Sequence, residues 1–191
     1  MAGTTIEIPD RIEAGSLALV APTDSYIDAV VEAVQDPEIP RWTTIPSPFA
    51  RGDAESFFER QARERSVGTS AVYLITTIDG SLVGATGMHA IDTEGLTAGI
   101  GYWVAARARG HGVATRAVGA LVEWGVDTAD GPGLRRIAAD GMAGNDASRR
   151  VLERVGFRHE GTLRSLPAGS CGVGLDRVDM HVYAILDSDP R

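Results

Sequence analysis

Lysine is missing from this chain: all 18 of its basic residues are arginine. The coding bias of a GC-rich genome suffices to produce that, although arginine also brings a planar fork suited to phosphate. Cysteine is nearly missing as well. Cys171 stands alone, which excludes an internal disulfide and a thiolate cluster for zinc. No apolar run reaches the length of a membrane span, and no basic segment precedes a short apolar core, so neither a span nor a secretory leader is expected. A cytoplasmic protein follows. Surplus positive charge is also lacking: 26 acids against 18 bases leave a formal charge of −8, nothing with which to neutralise a phosphate backbone, and nucleic acid is not an expected partner.

What is present is the composition of an ordinary globular chain, 43% hydrophobic over 191 residues. That length suits one domain burying roughly 70% of its unfolded surface. The segment "LALVAP" (17–22) reads as a short buried strand. Thr23 and Asp24 offer caps to a helix carrying Ile27, Val30, Val31 and Val34 at helical spacing and ending before Pro37. "IPRWTTIPSPF" is too rich in proline for helix or strand and reads as a loop, after which "GDAESFFERQARER" resumes as a helix. "AVYLITTI", "LVGATGMHAI" and "TAGIGYWV" are three strand-like runs joined by the short turns "DGS" and "DTEG", which predicts a meander. From Gly112 to about Asp127, Val113, Ala117, Ala120, Leu121 and Trp124 line one face of a helix. A strand "RRIAADGMA", a helix from Asn145 to Val155, a strand from Phe157, the loop "LPAGSCGVG" and a last strand "VDMHVYAIL" complete an α/β domain with a mixed sheet.

The stretch "ARARGHGVAT" carries the chemistry. Its glycines lie where a strand hands over to a helix, the place where backbone N–H groups lack partners and the helix dipole favours an anion. Arg107, Arg109, His111 and Arg116 surround the turn in an otherwise acidic chain, which points to an anionic ligand. A tight turn beside solvated arginines would show the same Gly-x-Gly. The dinucleotide fingerprint does not fit, because Thr115 occupies its third glycine position.

Two motifs in order resemble the GNAT acetyltransferases. Arg107-Ala108-Arg109-Gly110-His111-Gly112 fits the R/Q-x-x-G-x-G/A signature, and "NDASRRVLERVGF", beginning 33 residues beyond Gly112, is similar to that family's Asn-x-x-Ser…Gly-Phe segment. The likeness is greatest to the RimJ/RimL-type branch, and the element order matches from about residue 13 to 186, within a single domain over 1–191. The resemblance implies a GNAT fold, an α/β (α+β) architecture with a mixed central sheet of about seven strands, flanking helices and one splayed strand pair. It implies acetyl-CoA as cofactor, its pyrophosphate on the backbone amides of Arg109, Gly110, His111, Gly112, Val113 and Ala114. It places a bulge in the strand holding Gly101 to Val104, with the pantetheine arm beside Trp103 and Val104, where unpaired N–H groups would hold the thioester oxygen. Asn145 and Ser148 match residues beside the pantetheine and its sulfur. Asn145 also reads as a helix N-cap, with Ser148 at N3.

Leu152 stands where many members of the family have the tyrosine that acts as general acid, which leaves Ser148 or a water to protonate the leaving thiolate. No general base is legible: His89, Glu94, Asp140 and His181 all lie in or beside predicted strands. Cys171 could be an acyl-accepting nucleophile, but no histidine accompanies it. The expected acceptor is a primary amine, foremost the α-amine of a protein or peptide of the ribosomal-protein type. A small-molecule amine and a CoA-binding module without turnover stay open. No metal and no membrane partner are expected, and a homodimer is compatible with the family.

Overall fold

The computed structural model describes residues 6–167 and 177–190. Of the segment expected as a glycine-rich loop, Leu166 and Pro167 instead extend a strand that pairs with Val178 and Arg177, and the remainder, Cys171 included, lies outside the described residues. The chain runs β1 (Arg11–Ala14), β2 (Leu17–Val20), α1 (Ile27–Ala33), α2 (Glu38–Trp42), α3 (Arg51–Ser66), β3 (Ala71–Thr77), β4 (Leu82–Asp92), β5 (Thr97–Val104), α4 (Val113–Val126), β6 (Arg136–Met142), α5 (Asp146–Val155), β7 (Arg158–Pro167) and β8 (Arg177–Leu186). Eight strands form one sheet in the order β1-β2-β3-β4-β5-β6-β8-β7. Every neighbouring pair is antiparallel except β5 and β6, which are parallel and joined through the α4 crossover. Among the described residues no helix is long and apolar enough to cross a membrane.

Two apolar clusters sandwich the sheet. On one face α4 and α5 bring Ala117, Val118, Leu121 and Leu152 against Leu19, Tyr73, Ile75, Met88, Ile137 and Ile185. On the other, α1 and α3 bring Ile27, Val30, Ala54 and Phe58 against Leu74, Leu82 and Ala85. Leu121 and Val118 are fully buried, each contributing roughly 1.5–3 kcal/mol by leaving water. This is the physical content of the three-and-four spacing in α4.

The sequence reading missed two elements. β1 is a four-residue strand, "RIEA", too short to show alternation, and it brings the sheet to eight strands rather than about seven. The proline-rich segment is not wholly a loop, since α2 forms inside it. Pro37 caps that helix and Pro40 falls in its first turn, where a missing N–H removes no intrahelical bond. Glu38 holds the helix by accepting from Arg41 at 3.1 Å and from the Trp42 indole at 3.0 Å. Thr23, expected as a cap, instead bonds Ser25 through its hydroxyl at 2.8 Å.

Candidate functional site

The parallel pair β5 and β6 is joined only at its beginning. Thr97, Ala98 and Gly99 pair with Arg136, Ile137 and Ala138, and there the register ends, although both strands continue. β5 keeps its pairing to β4 along its whole length, and β6 keeps its pairing to β8. The sheet therefore opens between Ile100–Val104 and Ala139–Met142. Backbone parity decides which β5 groups face that opening. The Ala105 N–H donates to Val83 on the β4 side at 2.9 Å, while the Leu96 carbonyl accepts from Arg136 on the β6 side at 3.2 Å. Odd-numbered residues of β5 thus turn their peptide groups to β4, and Ile100, Tyr102 and Val104 turn theirs to the gap.

This corrects two details of the sequence reading. Register with β4 is unbroken from His89↔Gly99 to Gly84↔Val104, so the gap needs no bulge at Gly101–Val104; the irregularity lies between His89 and Asp92. Trp103 directs its peptide groups toward β4 and packs against the cluster under α1 and α3, leaving Val104 and Tyr102 as the N–H donors at the gap.

β5 runs through Ala105 and a short 3-10 turn (Ala106–Ala108) into the glycine turn and then α4. Gly110 and Gly112 have φ of +77° and +71°, the left-handed region that other residues enter at a cost. A Cβ on Gly110 would meet nothing within 4 Å, and one on Gly112 would meet Arg116 Nη1 at 3.5 Å. The glycines therefore serve the turn's conformation and also leave its surface bare. No side chain caps α4, and its first backbone bond runs from Arg116 N–H to the Gly112 carbonyl at 3.1 Å. The N–H groups at the start of the helix are thereby left outside the intrahelical ladder.

The arginines around the turn divide their work. Arg107 donates to the Leu82 carbonyl, and Arg109 donates through Nε to the Val104 carbonyl at 3.1 Å while its Nη2 lies 2.5 Å from Asp36. The Arg109 N–H donates to the Ala106 carbonyl at 3.3 Å. Arg109 is thus a brace for the turn, tying it to the end of β5 and to the segment after α1, rather than a ligand of the kind its motif position suggested. The Asp36 side chain in this pair is only 18% exposed, so the attraction is screened less than at an open surface. Arg116 and His111 are exposed and, among the described residues, engage in no such bond. An anion at this turn would meet them and the amides from Gly110 to Ala114.

Across the gap, α5 begins at Asn145, whose Oδ1 accepts from the Ser148 N–H at 3.1 Å, the N-cap read from the sequence. Continuing the β5–β6 register would set Tyr102 opposite Gly141, and it is there that the opening is spanned. Tyr102 Oη lies 2.8 Å from Ser148 Oγ and 3.2 Å from the Ser148 carbonyl oxygen. Burial pushes the Tyr102 phenol up to about 12, with the Ser148 hydrogen bond opposing. The sequence reading overlooked Tyr102; its signal was a phenol on the gap-lining strand, in "GIGYWV". Leu152, at the position where many members of the resembled family have a tyrosine, is buried in the core beneath α5.

Since the unfolded phenol ionises near 10 and the folded one near 12, the unfolded chain releases its proton first. Tyr102's contribution is whole below pH 10 and drains away as pH rises to 12. Tyr102→Phe should therefore lose less stability than wild type over that interval, by up to about 3 kcal/mol, in denaturant melts taken at each pH. Parallel curves for the two proteins would contradict a buried phenol.

The base candidates separate. Glu94 sits in the β4–β5 turn, at the far end of β5 from Val104. His89 stands over Gly99, where the pairing stops. Asp140 is exposed. His181 bonds Thr162 through Nδ1 at 2.8 Å and meets His159 edge-on with ring centroids 5.2 Å apart. With Asn145, Ser148 and Tyr183 it lines a small cavity of about 50 Å³. Neither His181 nor Asp140 bonds Ser148 or Tyr102. A larger hollow of about 750 Å³, between α3 and β1–β3, lies toward the other edge of the sheet and touches none of these residues. Among the described residues no group of three or more His, Cys, Asp or Glu could hold a metal ion.

A family model described as an acetyltransferase (GNAT) domain matches residues 16–158. The chain is 38% identical over 86 residues to the "Putative ribosomal N-acetyltransferase YdaF" of Bacillus subtilis strain 168, a match spanning 45% of each protein, so less than half the length of that curated relative is covered. Among solved structures, RimL, the ribosomal L7/L12 α-N-protein acetyltransferase in complex with coenzyme A, superimposes with a TM-score of 0.82 at 22% identity, covering 94% of this chain and 98% of that one. Mycobacterium smegmatis RimJ in complex with CoA-disulfide gives 0.78 at 27%, covering 92% and 84%.

Proposed function

Because the chain belongs to the GNAT acetyltransferase family, we propose that it moves an acetyl group from acetyl-CoA to a primary amine, foremost the α-amine of a protein or peptide. One observation carries the reading: a bare helix N-terminus stands at the end of the same strand, β5, whose edge opens into a gap in the sheet. The diphosphate of CoA suits the first and a narrow pantetheine arm suits the second. On this reading Gly110, His111, Gly112, Val113 and Ala114 present amides to the diphosphate, with Arg116 alongside. The N–H groups of Val104 and Tyr102 face the place where a thioester oxygen would gather charge. Asn145 fixes the start of α5 and so the position of Ser148.

When bound, acetyl-CoA supplies an activated acyl group; the protein's share is orientation, exclusion of water and stabilisation of charge. The attacking nitrogen must be neutral. At pH 7 an α-amine near 7.7–8.0 pays about 1 kcal/mol to be so, and a lysine side chain near 10.4 about 4.6 kcal/mol. A site in which, among the described residues, no base touches Ser148 or Tyr102 suits the α-amine. The formal charge of −8 suits a basic acceptor such as a ribosomal protein. We take the whole chain as one catalytic domain acting in the cytoplasm.

A panel of peptides with free α-amines, acetylated-N-terminus lysine peptides and small polyamines, read by release of CoA thiol and by mass spectrometry, tests this. Turnover should be at least tenfold faster with α-amino peptides. Faster turnover with small amines moves the acceptor to that class, and no thiol release with any amine leaves only cofactor binding.

A further inference from the structure

The Tyr102 and Ser148 hydroxyls meet across the gap at 2.8 Å. We infer that Tyr102 is a positioning residue whose phenol donates to Ser148 Oγ and thereby turns the serine's own proton toward the leaving sulfur. The inference rests on the acetyl transfer proposed above.

Proton counting leads to it. Tyr102 and Ser148 carry one hydroxyl proton each, and the phenol has two acceptors in reach, Ser148 Oγ at 2.8 Å and the Ser148 carbonyl at 3.2 Å. With nothing else in the gap, the serine can donate to the phenol while the phenol donates to the carbonyl. Once a sulfur in the gap begins to take the electron pair of the breaking C–S bond, the other arrangement wins, phenol to Oγ and Oγ to sulfur. A serine by itself would not keep its proton there, because a hydroxyl in the first turn of a helix also reaches carbonyls one turn back. The Asn145 cap holds the Ser148 backbone, and Tyr102 holds its hydroxyl from the opposite wall.

The pair stabilises the thiolate by a hydrogen bond and does not hand over a proton. Burial holds the phenol at about 12, whereas an alkyl thiol titrates near 8.5, so the phenol stays protonated. Sulfur leaves with the electron pair, the new N–C bond retains the acetyl group, and the surplus ammonium proton goes to solvent. Serine and tyrosine end as they began.

The test titrates the thiol of CoA bound to the protein, followed by thiolate ultraviolet absorbance, which needs no acceptor. The bound thiol should titrate about one pH unit lower in wild type than in Tyr102→Phe or Ser148→Ala, a tenfold change in ionisation. The double variant should match the single ones, since Tyr102 acts through Ser148. In turnover assays Tyr102→Phe should lose about tenfold in kcat with KM for acetyl-CoA within about twofold, because the serine hydroxyl is no longer held toward the sulfur as charge develops on it. Phe keeps the ring's packing, and Ser148→Ala provides the same readout should that variant fold poorly. A thiol titration of Tyr102→Phe identical to that of wild type would overturn the inference and leave acetyl transfer standing. Failure of the wild type to bind CoA overturns both.

Discussion

Gly112→Asp is expected to weaken CoA binding by about 100-fold, roughly 3 kcal/mol, with the fold retained. Two costs combine. The left-handed backbone at φ +71° charges a non-glycine residue about 1–2 kcal/mol of folding stability, and aspartate tolerates it better than most. The larger cost falls on the ligand, since the new carboxylate would stand near the Arg116 guanidinium, whose Nη1 lies 3.5 Å from the Cβ position, and would neutralise it while repelling a diphosphate. Gly112→Ala separates the two: it should melt a few degrees lower, as Gly112→Asp does, yet keep affinity within about fivefold. Calorimetry giving wild-type affinity for Gly112→Asp would show that phosphate does not sit on this turn.

Gly84→Ala is expected to cost about 2–3 kcal/mol of stability, a fall in Tm of about 5–10 °C. A Cβ at Gly84 would lie 2.4 Å from the Trp103 carbonyl oxygen and 3.2 Å from the Val104 Cα, both backbone atoms of β5, where no side chain can swing aside. Relief requires β5 to move away from β4, and so toward the gap that its other edge borders. Loss of CoA affinity should therefore accompany the lower Tm. An unchanged thermal midpoint would mean that β4 and β5 do not approach so closely at this level.

Much of the site was legible because it is local. The Gly-x-Gly turn, the start of α4 and the Asn145 cap each depend on a few consecutive residues, on positive φ, orphaned amides and a short side chain that accepts from N3. Helices α3 and α4 were legible from the spacing of their apolar residues, and α5 from its Asn145 cap. Arg107, Arg109 and Arg116 looked alike in sequence, and only the fold distinguishes them: Leu82, Val104 and Asp36 engage two and leave Arg116 exposed. Tyr102 could not be matched to Ser148 by inspection, for 46 residues separate the partners. β1 is too short to show a period, and α2 hides among prolines that usually stop a helix.

The amino-acid order by itself determined the Gly-x-Gly turn and the helix that follows it, because the conformation of a few residues and the unpaired amides they leave need no distant partner. Tertiary structure decided the gap. β5 and β6 part after Gly99 and Ala138 because each is held by its other neighbour, β5 against β4 at a glycine and β6 against β8, so no rule internal to either strand records the separation. Which peptide groups and which hydroxyls face that opening follows from the parity of strands brought together over long sequence distances.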